Sequence, residues 1–124
     1  MAANVNLKEL HLFNFESATS IGWQALASIL RNPSSGLEIL DFVENSINDE
    51  IMSTFAMALA NNTKLKKLWF SSNMRGVKSV GYDAVSRMLC DTSTILSTFN
   101  SNHTLQRIGF LLVREDIKLL LTIN

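Results

Sequence analysis

Leu37-Glu38-Ile39-Leu40-Asp41-Phe42-Val43-Glu44-Asn45-Ser46-Ile47 is the stretch whose spacing decides the reading of the chain. Its apolar residues and asparagine follow the pattern L-x-x-L-x-L-x-x-N-x-L, with Phe and Ile as apolar substitutes. Leu40 and Phe42 have the period of a strand with one buried face, and Ile39, Asp41 and Val43 face the other way. Leu65-Lys66-Lys67-Leu68-Trp69-Phe70-Ser71-Ser72-Asn73 repeats the first nine positions 28 residues later. Thirty residues upstream, Leu7-Lys8-Glu9-Leu10-His11-Leu12 gives the same start, with Phe15 at the asparagine position.

The second half of each unit repeats as well. Trp23, Leu26 and Leu30 correspond to Met52, Phe55 and Leu59, and then to Tyr82, Val85 and Leu89. Each trio has the i, i+3 or i+4 spacing of one helical stripe, with Gly22 and Gly81 lying just before the helix. Polar turns close the units at Asn32-Pro33-Ser34-Ser35-Gly36, Asn61-Asn62-Thr63-Lys64 and Asp91-Thr92-Ser93-Thr94. Strand and helix each carry one apolar face that neither can bury alone, so neighbouring units must stabilise one another. Asn45 and Asn73 are expected to hold the turn after the strand through side-chain amide bonds to the backbone.

Over about residues 5–100 these motifs resemble the ribonuclease-inhibitor-like leucine-rich repeat family. The resemblance implies an α/β solenoid, with parallel strands on a concave face, helices on a convex face and protein recognition as the usual role. The expected organisation is one domain over 1–124, with regular repeats at 7–36, 37–64 and 65–94 and an irregular terminal unit at 95–124. In that last unit Ile95 continues the spacing, but Thr98 and Asn100 occupy the core strand positions. Leu105-Gln106-Arg107-Ile108-Gly109-Phe110 then offers a second start. One reading is a short, helix-free unit at 95–104 followed by a strand at 107–110, and the other continues the preceding helical region through 95–101; a strand near 97–99 is the favoured expectation. A final helix is expected from Asp116 to Ile123, with Ile117, Leu120 and Leu121 on one stripe. With no polar cap visible at either end, the chain reads as a fragment of a longer array or as one that self-associates through its ends.

Composition narrows the function classes. The 124 residues are 47% hydrophobic and 18% charged, with 11 basic against 11 acidic side chains. A net charge of zero lacks the basic field that drives sequence-independent nucleic-acid binding. The start has neither a basic n-region nor an apolar h-region, and no apolar run reaches the roughly 20 residues of a membrane span. A cytoplasmic protein without nucleic-acid or membrane partners is the expectation. Cys90 is the single cysteine, which excludes an intrachain disulfide and a cysteine metal cluster, and it reads as a small packed hydrophobe. No phosphate loop, metal-ligand spacing or nucleophile elbow occurs, so no enzyme activity and no cofactor are expected. Asp49 and Glu50 read as favourable charges at a helix start. The sequons at Asn61 and Asn102 read as turn residues. Lys64, Lys66 and Lys67 read as a basic cluster beside Trp69, solvated or suited to an acidic partner.

The concave positions carry the functional reading. They are Glu9, His11 and Phe13 on the first strand, Ile39, Asp41 and Val43 on the second, and Lys67, Trp69 and Ser71 on the third. Ser97, Phe99 and Ser101 are expected on the fourth. Neighbouring strands would align His11, Asp41, Trp69 and Phe99 in one row. Exposed Trp and Phe are residue types enriched at binding hot spots, and clustered apolar groups mark interaction surfaces. The leading expectation is a non-enzymatic module that binds a protein partner through this face. Two alternatives stay open. One is a regulator resembling the GTPase-activating members of the repeat family, with Arg75 offered to a phosphoryl-transfer site. The other is a ligand-sensing segment of a larger receptor.

Overall fold

The computed structural model describes residues 6–13, 20–43, 47–70, 76–109 and 114–124. Strand and helix alternate: β1 Glu9–Phe13, α1 Ser20–Arg31, β2 Ile39–Val43, α2 Asp49–Leu59, β3 Lys67–Phe70, α3 Ser79–Leu89, α4 Ile95–Phe99, β4 Arg107–Gly109 and α5 Glu115–Thr122. The four strands form one parallel sheet in the order β1-β2-β3-β4. Leu10 pairs with Leu40, Leu40 with Leu68 and Leu68 with Ile108, so the repeating leucine sets the register across the sheet. Every strand starts with the same bifurcated bond. The carbonyl of Lys8 accepts from the N–H groups of Glu38 and Ile39, that of Glu38 from Lys66 and Lys67, and that of Lys66 from Gln106 and Arg107.

One face of the sheet meets the helices. Leu40, Phe42, Leu68 and Ile108 are buried against Trp23, Leu30, Met52, Phe55, Leu59, Val85 and Leu89. Each such side chain contributes roughly 1.5–3 kcal/mol on leaving water. Trp23, Phe42 and Phe55 form the centre, with ring centroids 5.5, 5.9 and 5.1 Å apart pair by pair. α5 packs on α3, where Arg114 bridges Asp83 at 2.6 Å and Asp116 at 2.8 Å and lies 5.9 Å from the centre of the Tyr82 ring. The Arg114 guanidinium holds the Asp116 carboxyl down at about 2, while Asp116 and Asp83 raise the arginine. Ile117 of α5 is buried in the core, with Leu120 and Leu121 partly buried beside it.

The fourth strand is absent from the favoured position near 97–99 and lies within the range 107–110 that one reading of the spacing gives to a strand. Residues 95–99 are helical, and β4 lies at 107–109, so Phe99 belongs to α4 rather than to a strand. The cause is local hydrogen bonding. Thr94 caps α4 by accepting the Ser97 N–H, Thr98 Oγ1 donates to the Asp91 and Thr94 carbonyls, and Ser101 Oγ accepts from the Asp91 N–H. Ser, Thr and Asp side chains that bond their own backbone compete with a strand ladder. Leu105 and Ile108 supply the buried residues that Thr98 and Asn100 lack. Gly22 and Gly81 also shift slightly from expectation, lying within α1 and α3 rather than before them. Phe15, Asn45, Asn73 and Arg75 lie outside the described residues, so the turn role of Asn45 and Asn73 is not among the observed contacts.

Asp49 does more than favour its own helix dipole. Asn48 caps α2 by accepting the Ile51 N–H at 2.9 Å, which leaves the Asp49 carboxylate to reach the next unit. It accepts the N–H groups of Lys78 at 2.7 Å and Gly81 at 2.9 Å, at the start of α3, where Lys78 provides no side-chain cap of its own. The approach is close: a Cβ on Gly81 would sit 2.6 Å from Asp49 Oδ1 and 2.9 Å from Val77 Cγ1. Asp49→Ala removes both charge-assisted bonds and is expected to cost about 2 kcal/mol in a denaturant titration. Glu50→Ala on the exposed side of the same turn is expected to cost about 0.5 kcal/mol or less. Equal losses in the two variants would show that the inter-unit bonds contribute nothing.

Candidate functional site

The face of the sheet turned away from the helices carries the outward residues of each strand. Its rows are set by pairing: Glu9, Ile39, Lys67 and Arg107 in one, His11, Asp41, Trp69 and Gly109 in the next, then Phe13 and Val43. His11, Asp41 and Trp69 therefore stand together as expected. Phe99 does not join them, and Gly109 takes that place. Ser71 lies outside the described residues, and Val43 is described by its backbone only. Arg107 is the functional candidate that sequence reading overlooked. Its signal was the second L-x-x-L start at Leu105.

The acidic end of the face is built around His11. Its Nε2 lies 3.2 Å from Glu9 Oε2 and its Nδ1 lies 3.3 Å from Asp41 Oδ2. Both ring nitrogens face carboxylate acceptors, an arrangement met in full only by the doubly protonated ring. Hydrogen bonds to Glu9 and then Asp41 accordingly raise the His11 pKa above its usual 6.5. The sign follows from the raised value. The contribution to stability is fully present below 6.5, and it is lost as pH rises through the folded-state pKa. An NMR titration of the imidazole is expected to show a midpoint above 6.5, and Asp41→Asn should move it down. An unshifted midpoint in the wild-type chain would remove the clamp.

Asp41 has a second oxygen with a different fate. Oδ1 is shut off from solvent and has no hydrogen-bond partner among the described residues. A buried acceptor left unmet costs on the order of 1–3 kcal/mol, and more when charged. Next to it in the row, Trp69 keeps 38% of its surface exposed, and Phe13 keeps 62%. The pattern is an unmet acceptor in the middle of the face, with exposed rings around it.

A contrasting charge row lies one residue earlier in each strand. Glu38 bridges Lys8 at 3.7 Å and Lys66 at 3.2 Å, and Lys66 is the main cause of its lowered pKa. Lys66 thus leaves the supposed basic cluster to pair with acid. Lys67 stays on the open face beside Arg107, and among the described residues neither has an ion-pair partner.

A second surface lies on the helical side. α2, α3 and α4 border an open groove of about 550 Å³ lined by Met57, Met88, Arg87, Asp91 and Leu96 among others. Ile95, Leu96 and Phe99 of α4 are all exposed, as is Met57 of α2. Cys90 is half-buried at the C-terminus of α3. No His, Cys, Asp or Glu group among the described residues has the arrangement to hold a metal ion, and no helix among them is long and apolar enough to cross a membrane.

The turn residues complete the scaffold under the face. The Asn102 side chain is buried and its Nδ2 is engaged with the Leu59 and Asn62 carbonyls, which fits its reading as a turn residue rather than a glycan acceptor.

No family model matches the chain. Over 89 residues, 72% of its length, the chain is 37% identical to the mouse protein named NACHT, LRR and PYD domains-containing protein 5. The chain spans about 7% of the length of that relative.

Proposed function

We propose that this chain is a segment of a ribonuclease-inhibitor-like leucine-rich repeat solenoid, and that it recognises a protein partner through the open face of its sheet without catalysing a reaction. The observation that carries the reading is the middle row of that face. There exposed Trp69 stands beside Asp41, and the inward residues Leu40, Phe42 and Leu68 next to them are core. Exposed aromatic area gains when a partner covers it. The leucine-based register across the strands supports the solenoid, as does the similarity to a protein named for its LRR domain. A second reading, the ligand-sensing segment of a larger protein, draws on the small share of that relative which the chain covers.

Affinity capture from the source lysate separates the working face from the helical side. Trp69→Ala is expected to weaken capture of the partner more than tenfold, equivalent to about 1.4 kcal/mol or more. Its thermal stability should change little, because surface substitutions usually stay within about 0.5 kcal/mol. Met57→Glu, in the groove beside α4, is expected to leave capture unchanged. If Met57→Glu abolishes capture and Trp69→Ala does not, the sheet face is the wrong surface.

A further inference from the structure

The charges on the open face are segregated, and that segregation describes the partner. The row that starts the strands, Lys8, Glu38 and Lys66, alternates in sign and bonds to itself. The rows on the face do not. Glu9 and Asp41 lie on β1 and β2, Lys67 and Arg107 on β3 and β4. His11 engages Glu9 Oε2 and Asp41 Oδ2, and because Asp41 Oδ1 is shut off from solvent, the acidic end presents the exposed parts of the Glu9 and Asp41 carboxylates. Trp69 marks the boundary between the two signs, and Gly109, its neighbour in the row, adds no side chain there.

We infer that the open face takes an extended polypeptide segment bearing a basic side chain for Glu9 and Asp41, beside Trp69, and an acidic side chain for Lys67 and Arg107. The inference rests on the protein-binding reading above and deepens it. An arginine or lysine there meets the exposed parts of the Glu9 and Asp41 carboxylates, and its cation lies against the Trp69 ring face. The acidic side chain meets two cations that have no ion-pair partner among the described residues. Like charges placed in the reverse order would be repelled at both ends, so the segment binds in one direction. Strands in a sheet lie about 4.8 Å apart, so β2 to β4 spans roughly 10 Å and Glu9 to Arg107 roughly 14 Å. At about 3.3 Å per residue, the two complementary charges fall three to four residues apart in an extended chain. A polynucleotide fits poorly, because Glu9 and Asp41 would oppose its phosphates.

The test is selection of a randomised peptide library, displayed on phage, against the whole 124-residue chain. Enriched peptides are expected to carry Arg or Lys and Asp or Glu three to four residues apart. Synthetic copies should bind Asp41→Asn and the double variant Lys67→Glu, Arg107→Glu at least tenfold more weakly. Reselection on the double variant is expected to exchange the acidic residue of the peptides for a basic one. Both charge variants alter exposed or half-exposed positions, and a thermal melt confirms that each is folded.

Peptides that lose binding with Trp69→Ala but carry no charge pattern would overturn the charge inference and leave the sheet-face reading standing. Peptides indifferent to Trp69→Ala as well as to the charge variants would overturn both. Concentration-dependent dimerisation abolished by the double variant would identify the occupant as a second copy of the chain, and would overturn the assignment to a separate segment.

Discussion

Phe55→Ala is expected to lower the free energy of unfolding by about 4 kcal/mol, the largest effect of any single substitution in the core. Phe55 is fully buried on α2, and its ring meets Trp23 from α1 and Phe42 from β2. Truncation removes the ring's own transfer free energy. It also leaves a cavity between two other aromatic rings, which cannot collapse without moving a strand or a helix. Native domains are stable by roughly 5–15 kcal/mol, so such a loss leaves the variant marginal or unfolded at physiological temperature. For a chain of this size the melting temperature should fall on the order of 15 °C. Phe55→Leu keeps most of the volume and is expected to cost about 1.5 kcal/mol. Phe99→Ala, on the exposed side of α4, is expected to stay within about 0.5 kcal/mol. Circular-dichroism melts of the three variants check the order, and a Phe55→Ala loss below about 1 kcal/mol would mean that α2 does not pack as described.

The positions legible in the sequence are those whose physics repeats. A buried face on a strand needs period two, and a helix lying on it needs period three to four. When both recur at 28–30 residues, the register follows one residue at a time. That is why Leu10, Leu40 and Leu68 align, and why spacing alone places His11, Asp41 and Trp69 in one row. The same reasoning failed at Phe99 because the spacing was extended past the point where the physics stopped repeating. From Asp91 to Ser101 the side chains satisfy neighbouring backbone groups, and the next strand waits until apolar residues return at Leu105 and Ile108.

Contacts between units were less legible. A capping motif is sought three residues along the chain, but Asp49 serves N–H groups 29 and 32 residues away. Nothing in its local sequence marks that reach. The open face of the sheet shows a related gap. Sequence reading identified which residues point outward, but the pairing of His11 with one oxygen of Asp41 and the isolation of the other depend on side-chain geometry. Alternation alone does not contain that asymmetry.

Asn102→Ala is expected to cost about 3 kcal/mol, second only to the aromatic core. Asn102 is 2% exposed and joins several backbone segments. Its Nδ2 donates to the Leu59 carbonyl at 2.7 Å and the Asn62 carbonyl at 3.0 Å, and its Oδ1 accepts the N–H groups of Thr104 and Leu105 at 2.9 and 2.8 Å. Asn62 does the same one unit earlier, donating to the Leu30 carbonyl and accepting from Lys64 and Leu65. Asn124 extends the series by donating to the carbonyls of Asn102 and Leu105. The Asn62 and Asn102 amides thus each close the turn into one strand while tying it to the helix end of the unit before. Removing the Asn102 amide leaves buried donors and acceptors without partners, the costly side of hydrogen-bond energetics. Asn102→Asp isolates the donor half of the interaction. The carboxylate keeps the two bonds from Thr104 and Leu105 but turns an acceptor toward the Leu59 and Asn62 carbonyls, so it should be no less destabilising than alanine. Asn61→Ala, one residue from the equivalent ladder position and exposed, serves as the control and is expected to change stability by about 0.5 kcal/mol or less. Hydrogen exchange adds the spatial readout: in Asn102→Ala the amides of Thr104 and Leu105 should lose protection, while those of Lys64 and Leu65, held by Asn62, should lose only what the global destabilisation takes from them. Uniform loss across both turns would show that the ladder acts through overall stability alone and not by fixing each strand's start.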